Sequence, residues 1–433
     1  MKSLKSKRSF SKPQLIVFLL VFALIGGIII WRSLAAPNPN LPGDLNGDNT
    51  VNISDLSIML SDFGTSNAAA DINGDGTVNV LDLSILLSHY GESYSGGGGT
   101  AESQTCGWGT YSFTVLPGAC WRPYSDSSPF NTGLPSSPSI VSNSGTIVSR
   151  AVTDGTNSNP GPRWNSGDGL STSYDWTRPY YFSSTSDPTY KAHCTKPWGT
   201  CGPEGLSIHI PANAKPAGSG DGHIAIFDQS ANKEYDFWQA VKDNTNHTIT
   251  ASWGSVIAAT GNGLGGAADA GDYGLAAGQI RASELAAGEI DHALFMVVYC
   301  TNGTSVYPAV SNSTGRSCSS IGLSNTGAPA MGQHFYLKMS DSGIAALPVQ
   351  QWKKTILYAM AHYGMYVGDT GGDSWGVEAE SADQYITSGQ ADPWIATGQK
   401  VGATSYSSGG VSKYSFDMRG VVPYFSDLLV VAP

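Results

Sequence analysis

Two stretches near the N-terminal end carry oxygen-bearing side chains at one repeated spacing. Asp44, Asn46, Asp48, Thr50, Asn52 and Asp55 occupy positions 1, 3, 5, 7, 9 and 12 of a loop. Asp71, Asn73, Asp75, Thr77, Asn79 and Asp82 repeat that spacing 27 residues later. Calcium takes six to eight oxygen ligands, and this spacing lets one loop wrap a single ion, with a backbone carbonyl serving at position 7. Position 6 needs a sharp turn, which Gly76 supplies in the second loop and Asn49 in the first. Two copies in register argue against an accidental acidic turn, so two Ca2+ ions are expected.

Three later segments hold residues suited to acid–base work. In the first, Asp221 and His223 precede an apolar run, and Glu234, Asp236 and Trp238 alternate with Tyr235 and Phe237 after a turn at 229–232. Strand alternation puts His223, Ala225 and Phe227 on one face, with Asp221 near it, and Glu234, Asp236 and Trp238 on one face of the return strand. A carboxyl with a raised pKa can protonate a leaving oxygen while a second acts as base or nucleophile, which is glycoside-cleaving chemistry. Trp238 and Tyr235 would bind sugar rings. The competing reading is a solvent-facing hairpin with a histidine at the core edge. The second segment is 289–294, where Asp291 precedes His292; here the competing reading is a structural histidine. The third is 363–373, a strand ending in a Gly-rich loop with Asp369 and Asp373, followed by Glu378 and Glu380; these compete with turn-forming Asp and surface Glu. Asp221, His223, Asp236, His292 and Asp369 are the catalytic candidates. Gly372-Asp373-Ser374-Trp375-Gly376 has the outline of a nucleophile elbow, but no histidine follows Ser374.

The elements that must position these groups are mostly strands. Short apolar or alternating runs at 205–210, 223–227, 293–299, 334–339 and 364–368 are bounded by Gly, Ser, Asn and Pro. Two stretches read as helices: 279–287, closed by Gly288, and 348–363, with Pro348 near its start and Gly364 just beyond. Each calcium loop also runs into a short amphipathic helix, from Asp55 and from Asp82. The expected fold is mainly β, a β-sandwich or jelly roll with one or two helices, plus a small α-helical calcium-binding module. Neither copy of that module can bury its apolar face alone, so the two must pack together, with calcium adding folding energy.

Composition bounds the partners. The chain has 433 residues, 53 Gly, 23 Pro, 20 Tyr, 11 Trp and only 13% charged residues, which disfavours long charged helices. Net charge is -11, and residues 1–40 hold six basic residues and no acid, so the remainder carries -17. Such a body repels phosphate backbones, and nucleic acid is excluded as a partner. The basic start, the apolar run at 15–31 and Ala35-Ala36 read as a secretory signal or a signal anchor inserted in a membrane. Either form places the rest outside the cell, secreted or tethered to the outer face of the membrane. Six cysteines in an exported chain suggest disulfides. Fifteen pairings are possible; the sequence-local set, Cys106–Cys120, Cys194–Cys201 and Cys300–Cys318, is favoured because each pair brackets a loop, and a zinc site is the alternative. The boundaries are then 1–40 for the signal, 41–92 for the calcium module, 93–104 for a Gly/Ser linker and 105–433 for one large β-rich domain.

The paired D-x-N-x-D-x-T-x-N-x-x-D loops, each followed by an apolar helix start, resemble the type I dockerin family over residues 42–91. The resemblance implies a calcium-folded, EF-hand-like module that docks on a cohesin domain and rides on an extracellular polysaccharide-degrading protein. It places partner choice on Ile53-Ser54 and Val80-Leu81. The large domain is similar over 200–380 to a group of secreted bacterial β-rich proteins. That likeness is carried by D-x-H at 221–223, Y-D-F-W at 235–238, G-E-I-D-H-A-L at 288–294, P-A-M-G at 329–332 and Y-G-M-Y-V-G-D at 363–369, and it implies action on glycans. The leading expectation is therefore an extracellular glycoside hydrolase acting on a polysaccharide or cell-wall glycan. A polysaccharide lyase and a non-catalytic carbohydrate-binding or adhesion module are the alternatives. A lyase needs Arg or Lys for substrate carboxylates, and few basic residues cluster here.

Overall fold

The computed structural model describes residues 43–46, 51–67, 69–73, 76–88, 90, 108–155, 163–165, 177–218, 220–266, 268–309, 315–371, 375–408 and 410–433. The chain divides into two units between Ser103 and Gln104.

The first unit is built on two nine-residue helices, Ile53–Ser61 and Val80–Ser88. Asn52 caps the first: its side chain accepts from the Ser54 amide at 2.8 Å, and Asp55 reaches back to the Asn52 amide at 2.9 Å. This reciprocal pair satisfies two amides that a helix start leaves open. Asn79 and Asp82 repeat both bonds at 2.8 and 2.9 Å. The buried set is small: Leu45, Val51, Met59, Ala70, Val78 and Leu86. Val51 and Val78, like Met59 and Leu86, occupy equivalent places in the two copies, so each repeat closes the core of the other.

The second unit is rich in β structure. One four-stranded sheet has the order Tyr180–Ser183, Ile224–Asp228, Lys233–Trp238, Trp253–Ala258. Another has the order Ser207–His209, Thr189–Cys194, Thr248–Ala251, Val241–Asp243. Alternation sends Tyr181, Ile224, Ile226, Tyr235 and Phe237 of the first into one core with Tyr190, Ala192, Ile208 and Ile249 of the second. The opposite face of the first sheet, with Tyr180, Phe182, Ala225 and Phe227, packs on Tyr111, Trp121 and Leu275. A mixed five-stranded sheet, ordered Gly376–Val377, Leu294–Val298, Met365–Thr370, His334–Leu337, Leu428–Val431, forms the largest core with helices against it. A three-stranded sheet of Arg163–Asn165, Val411–Asp417 and Thr404–Ser408 completes the set.

Two features depart from expectation. A jelly roll is antiparallel throughout, yet three neighbouring pairs here are parallel: Tyr180–Ser183 with Ile224–Asp228, Thr189–Cys194 with Thr248–Ala251, and Leu294–Val298 with Met365–Thr370. Helices also outnumber the one or two foreseen. Those at Ala282–Ala287 and Gln351–His362 match the expected stretches, and Ser144–Thr153, Asp341–Ala345, Asp383–Thr387, Pro393–Val401 and Tyr424–Asp427 join them. All are short. Ser144–Thr153 has a Ser/Thr/Val composition that favours other states, and it persists because Ile147, Val148, Ala151 and Val152 are buried in the main core.

Cys194–Cys201 and Cys300–Cys318 are disulfides, as the sequence-local pairing expects. Cys120 is disulfide-bonded too, and Cys106 lies outside the described residues. Among the described residues no helix is long and apolar enough to cross a membrane, and the 15–31 run lies outside them.

Candidate functional site

In the N-terminal unit the position-12 carboxylates organise both loops. Asp55 accepts from the amides of Leu45 at 2.9 Å and Asn46 at 3.1 Å, and Asp82 accepts from Asn73 at 3.0 Å. Asp71 accepts from Gly76 at 2.8 Å, and Gly76 has φ 90°, the left-handed turn that position 6 requires. Asp48, Thr50 and Asp75 lie outside the described residues. Asp44, Asp55 and Asp82 are fully buried. Residues 42–89 contain seven aspartates and no lysine or arginine. Burying carboxylates without a cation is costly, so the donor set fits a hard divalent ion such as calcium. Outside the loops, Ile53 and Val80 are 63% and 65% exposed, and Leu60, Leu81 and Leu87 are exposed beside them. Ile53 with Val80 and Leu60 with Leu87 repeat at 27 residues, like the loops, whereas Leu81 stands opposite Ser54.

In the large unit, strand ends converge on a cavity of about 680 Å³ lined by Trp198, Asp221, His223, Trp238, Trp253, Ala268, Asp269, Ala270, Asp272, Gly315, Asp369 and Thr370. Trp238 ends one strand and Trp253 begins its neighbour, paired in register. Trp198 sits in the loop closed by Cys194–Cys201; its ring stacks on Trp238 with centroids 5.8 Å apart and lies at the same distance from Trp253. Asp221 is pinned through its backbone, since its carbonyl accepts from the Gln239 amide at 2.7 Å. Its carboxylate accepts from the Trp238 indole at 3.2 Å. Gly222 beside it has φ 49°, and a Cβ there would meet the Ala240 nitrogen at 3.3 Å.

Arg178 organises the acids behind this wall. It is buried, donates to Asp269 at 3.1 Å and to Asp369 at 3.0 Å, and lies 4.0 Å from the Phe295 ring centre. Burial pulls its pKa down, but Glu378, Asp269, Asp369 and Asp221 together raise it above the ordinary value. Burial also raises Asp269 and Asp369, against the pull of Arg178. Glu378 is pushed up to about 7 by burial, again against Arg178, with the charges of Asp369 and Asp221 adding to the shift. His223 falls to about 3 through burial and the nearby Arg178 charge. Its Nε2 lies 3.0 Å from the Ala268 carbonyl. The ring is therefore neutral, with the proton on Nε2.

The structure thus brings Asp221, His223, Trp238 and Asp369 together. It puts the other candidates elsewhere. Asp236 is buried beside Glu234, away from the cavity lining. Glu234 accepts from the Tyr124 hydroxyl at 3.1 Å, and Asp236 from Ser255 at 3.3 Å. Tyr235 faces the core between the two four-stranded sheets. His292 is buried with Nε2 3.2 Å from Glu284, which also pairs with Arg281. Glu380 accepts from the hydroxyls of Tyr180 at 3.0 Å and Tyr385 at 3.2 Å, and from the Ala282 amide at 2.7 Å. Asp291 lines a separate open cavity of about 850 Å³ with Tyr336, Lys338, His362 and Tyr363. Asp373 and Ser374 lie outside the described residues. Sequence reasoning missed Arg178, Trp198, Trp253, Asp269 and Asp272. Only Trp198 had a signal, its bracketing by two nearby cysteines.

The paired acidic loops, reciprocal helices and exposed apolar face define a two-repeat docking module. Residues 42–89 match the family model of the Dockerin type I domain, and this segment is a type I dockerin. It marks the chain as a cohesin-docking, cellulosome-type extracellular component. Among solved structures, a type II cohesin-dockerin domain from Bacteroides cellolosolvens is similar to 13% of this chain and 92% of its own, at 42% identity and a TM-score of 0.12. No curated protein matches the chain.

Proposed function

We propose that the large unit binds a glycan in the tryptophan-rimmed cavity and hydrolyses its O-glycosyl bonds, while the dockerin, folded around two Ca2+ ions, docks the protein on a cohesin. The observation that carries this reading is the convergence of Trp198, Trp238 and Trp253 on a cavity that also holds Asp221 and Asp369. Flat aromatic faces suit sugar rings, and glycoside cleavage needs one protonated and one ionised carboxyl. Glu378, pushed up to about 7 by burial beside the charges of Asp369 and Asp221, holds a proton in about half of the molecules at neutral pH and serves as general acid. Asp221, whose described side-chain contact is to an indole rather than to Arg178, serves as base or nucleophile. Asp369 and Asp269 hold Arg178 and shape the floor. In the dockerin, the Asp, Asn and Thr positions of both loops would hold the ions, which supply charge neutralisation and folding energy. The mainly β unit, with two sheets facing across one core, is of the β-sandwich type in this reading.

The test is a polysaccharide panel with reducing-sugar readout on the full chain, wild type beside Asp221→Asn and Glu378→Gln. Sugar release by wild type, lost in both variants, is expected. No release, with retention on an insoluble glycan that Trp238→Ala abolishes, would replace hydrolysis by the binding-module reading, which the tryptophan cluster also favours.

A further inference from the structure

We infer that the cavity takes a cationic glycan, a polymer of amino sugars whose amines carry no acyl group. The inference rests on the cavity being a glycan site and adds the substrate class. Among the described residues its lining includes the carboxyls of Asp221, Asp269, Asp272 and Asp369, and no lysine or arginine. The guanidinium of Arg178 lies behind the wall, buried on Asp269 and Asp369. Lys196 stands outside, with its ammonium 6.0 Å from the Trp198 ring centre.

His223 makes an independent point. It lines the cavity, is 2% exposed, and its Nδ1 has no partner among the described residues. With the Nε2 proton given to the Ala268 carbonyl, Nδ1 is an acceptor. A buried acceptor without a donor needs an explanation, and a donor brought by a ligand provides one. The cavity therefore offers carboxyl and imidazole acceptors beside the indole N–H groups of its tryptophans.

Four ligand chemistries can be ranked on this surface. A uronate or sulfated sugar would bring negative charge to a wall of carboxyls and is excluded. A neutral sugar can stack on the tryptophans and donate hydroxyls, but it brings no positive charge to a lining whose Asp269 and Asp369 already share the single guanidinium of Arg178. An N-acetylated amine has the same defect. A protonated amine brings three donors and a positive charge, and indole faces add cation–π attraction to it.

The experiment is calorimetric titration of the full chain with four hexamers: glucosamine, N-acetylglucosamine, cellohexaose and galacturonate, at low and high salt. The glucosamine hexamer is expected to bind about tenfold tighter than its acetylated counterpart, a preference that salt screens. Asp221→Asn and Asp272→Asn should each shrink that preference; the second variant covers a folding failure of the first, and thermal melts identify one. Equal or weaker binding of the glucosamine hexamer, with the neutral hexamers still bound in a Trp238-dependent way, would overturn the substrate class and leave the glycan reading standing. Binding of galacturonate would also overturn it. Failure of wild type to bind any hexamer would overturn both.

Discussion

Trp198 at the cavity and Glu378, which feels the charges of its Asp221 and Asp369, illustrate what single residues do here. Glu378 has its pKa raised from 4.5 to about 7 because its charged form is buried, even with Arg178 nearby. As general acid it must be protonated, so hydrolysis should fall as pH rises through about 7. Glu378→Gln should cut turnover by about 10²- to 10⁴-fold while leaving glycan binding measurable; a variant with wild-type turnover would place the acid elsewhere. Trp198 is 59% exposed, which for a tryptophan is an unusual position without a partner to cover it. Trp198→Ala should weaken glycan binding about tenfold, the order expected of an aromatic hot spot, with the melting temperature nearly unchanged. A melting temperature that falls with affinity would show a packing role instead.

At the scale of elements, the Lys233–Trp238 strand shows how alternation divides labour. One face sends Tyr235 and Phe237 into the inter-sheet core; the other carries Glu234, Asp236 and, at its open end, Trp238. Glu234 and Asp236 are buried side by side, close enough for a hydrogen bond between their carboxyls. Two carboxyls placed together cannot both be ionised, so they share a proton. Burial is the main cause of the rise in both: Glu234 goes to about 7, and Asp236 well above its ordinary value with the Glu234 charge adding. A raised carboxyl pKa stabilises the fold fully below the unfolded value and loses that contribution as pH rises through the folded value. For Glu234 the window runs from 4.5 to about 7. The large unit should thus melt at a lower temperature at pH 8 than at pH 5, and Glu234→Gln should flatten that dependence. An unchanged slope in the variant would show that other buried acids, such as Glu380, dominate it. The short Cys194–Cys201 loop belongs to this scale as well, because it presents Trp198 to its two neighbours.

For the whole molecule, the two units draw stability from different sources. The large unit has several hydrophobic cores, whereas among the described residues the dockerin core holds six buried apolar side chains and the aspartates Asp44, Asp55 and Asp82 are buried with them. A core that small needs a staple, and calcium is the one its chemistry suits. Stripping calcium with EGTA should abolish capture of the full chain by a cohesin, and added Ca2+ should restore it. Capture that survives EGTA would show that the loops fold without the ion. Ile53→Asp combined with Val80→Asp should also abolish capture while leaving calcium binding intact, which separates the docking face from the ion sites.

The dockerin was legible from sequence because its information is local: twelve consecutive residues carry the spaced oxygen side chains of each loop, and the helix caps lie within three residues of the helices they start. Strand alternation at 224–228 and 233–238 was legible for the same reason, since the period of two is set by backbone geometry. Asp221, His223, Trp238 and Asp369 could be picked out singly, but their meeting could not. Asp236 and Tyr235 share a strand with Trp238 and still do not line the cavity, because one is held beside Glu234 and the other faces the sheet core. Arg178, Trp198, Trp253 and Asp269 come from separated segments and are brought together by sheet pairing and by a disulfide. Only the tertiary structure decided which acids face a cavity, which pair with arginine and which are buried protonated, because long-range packing sets burial and charge environment, and these set the chemistry.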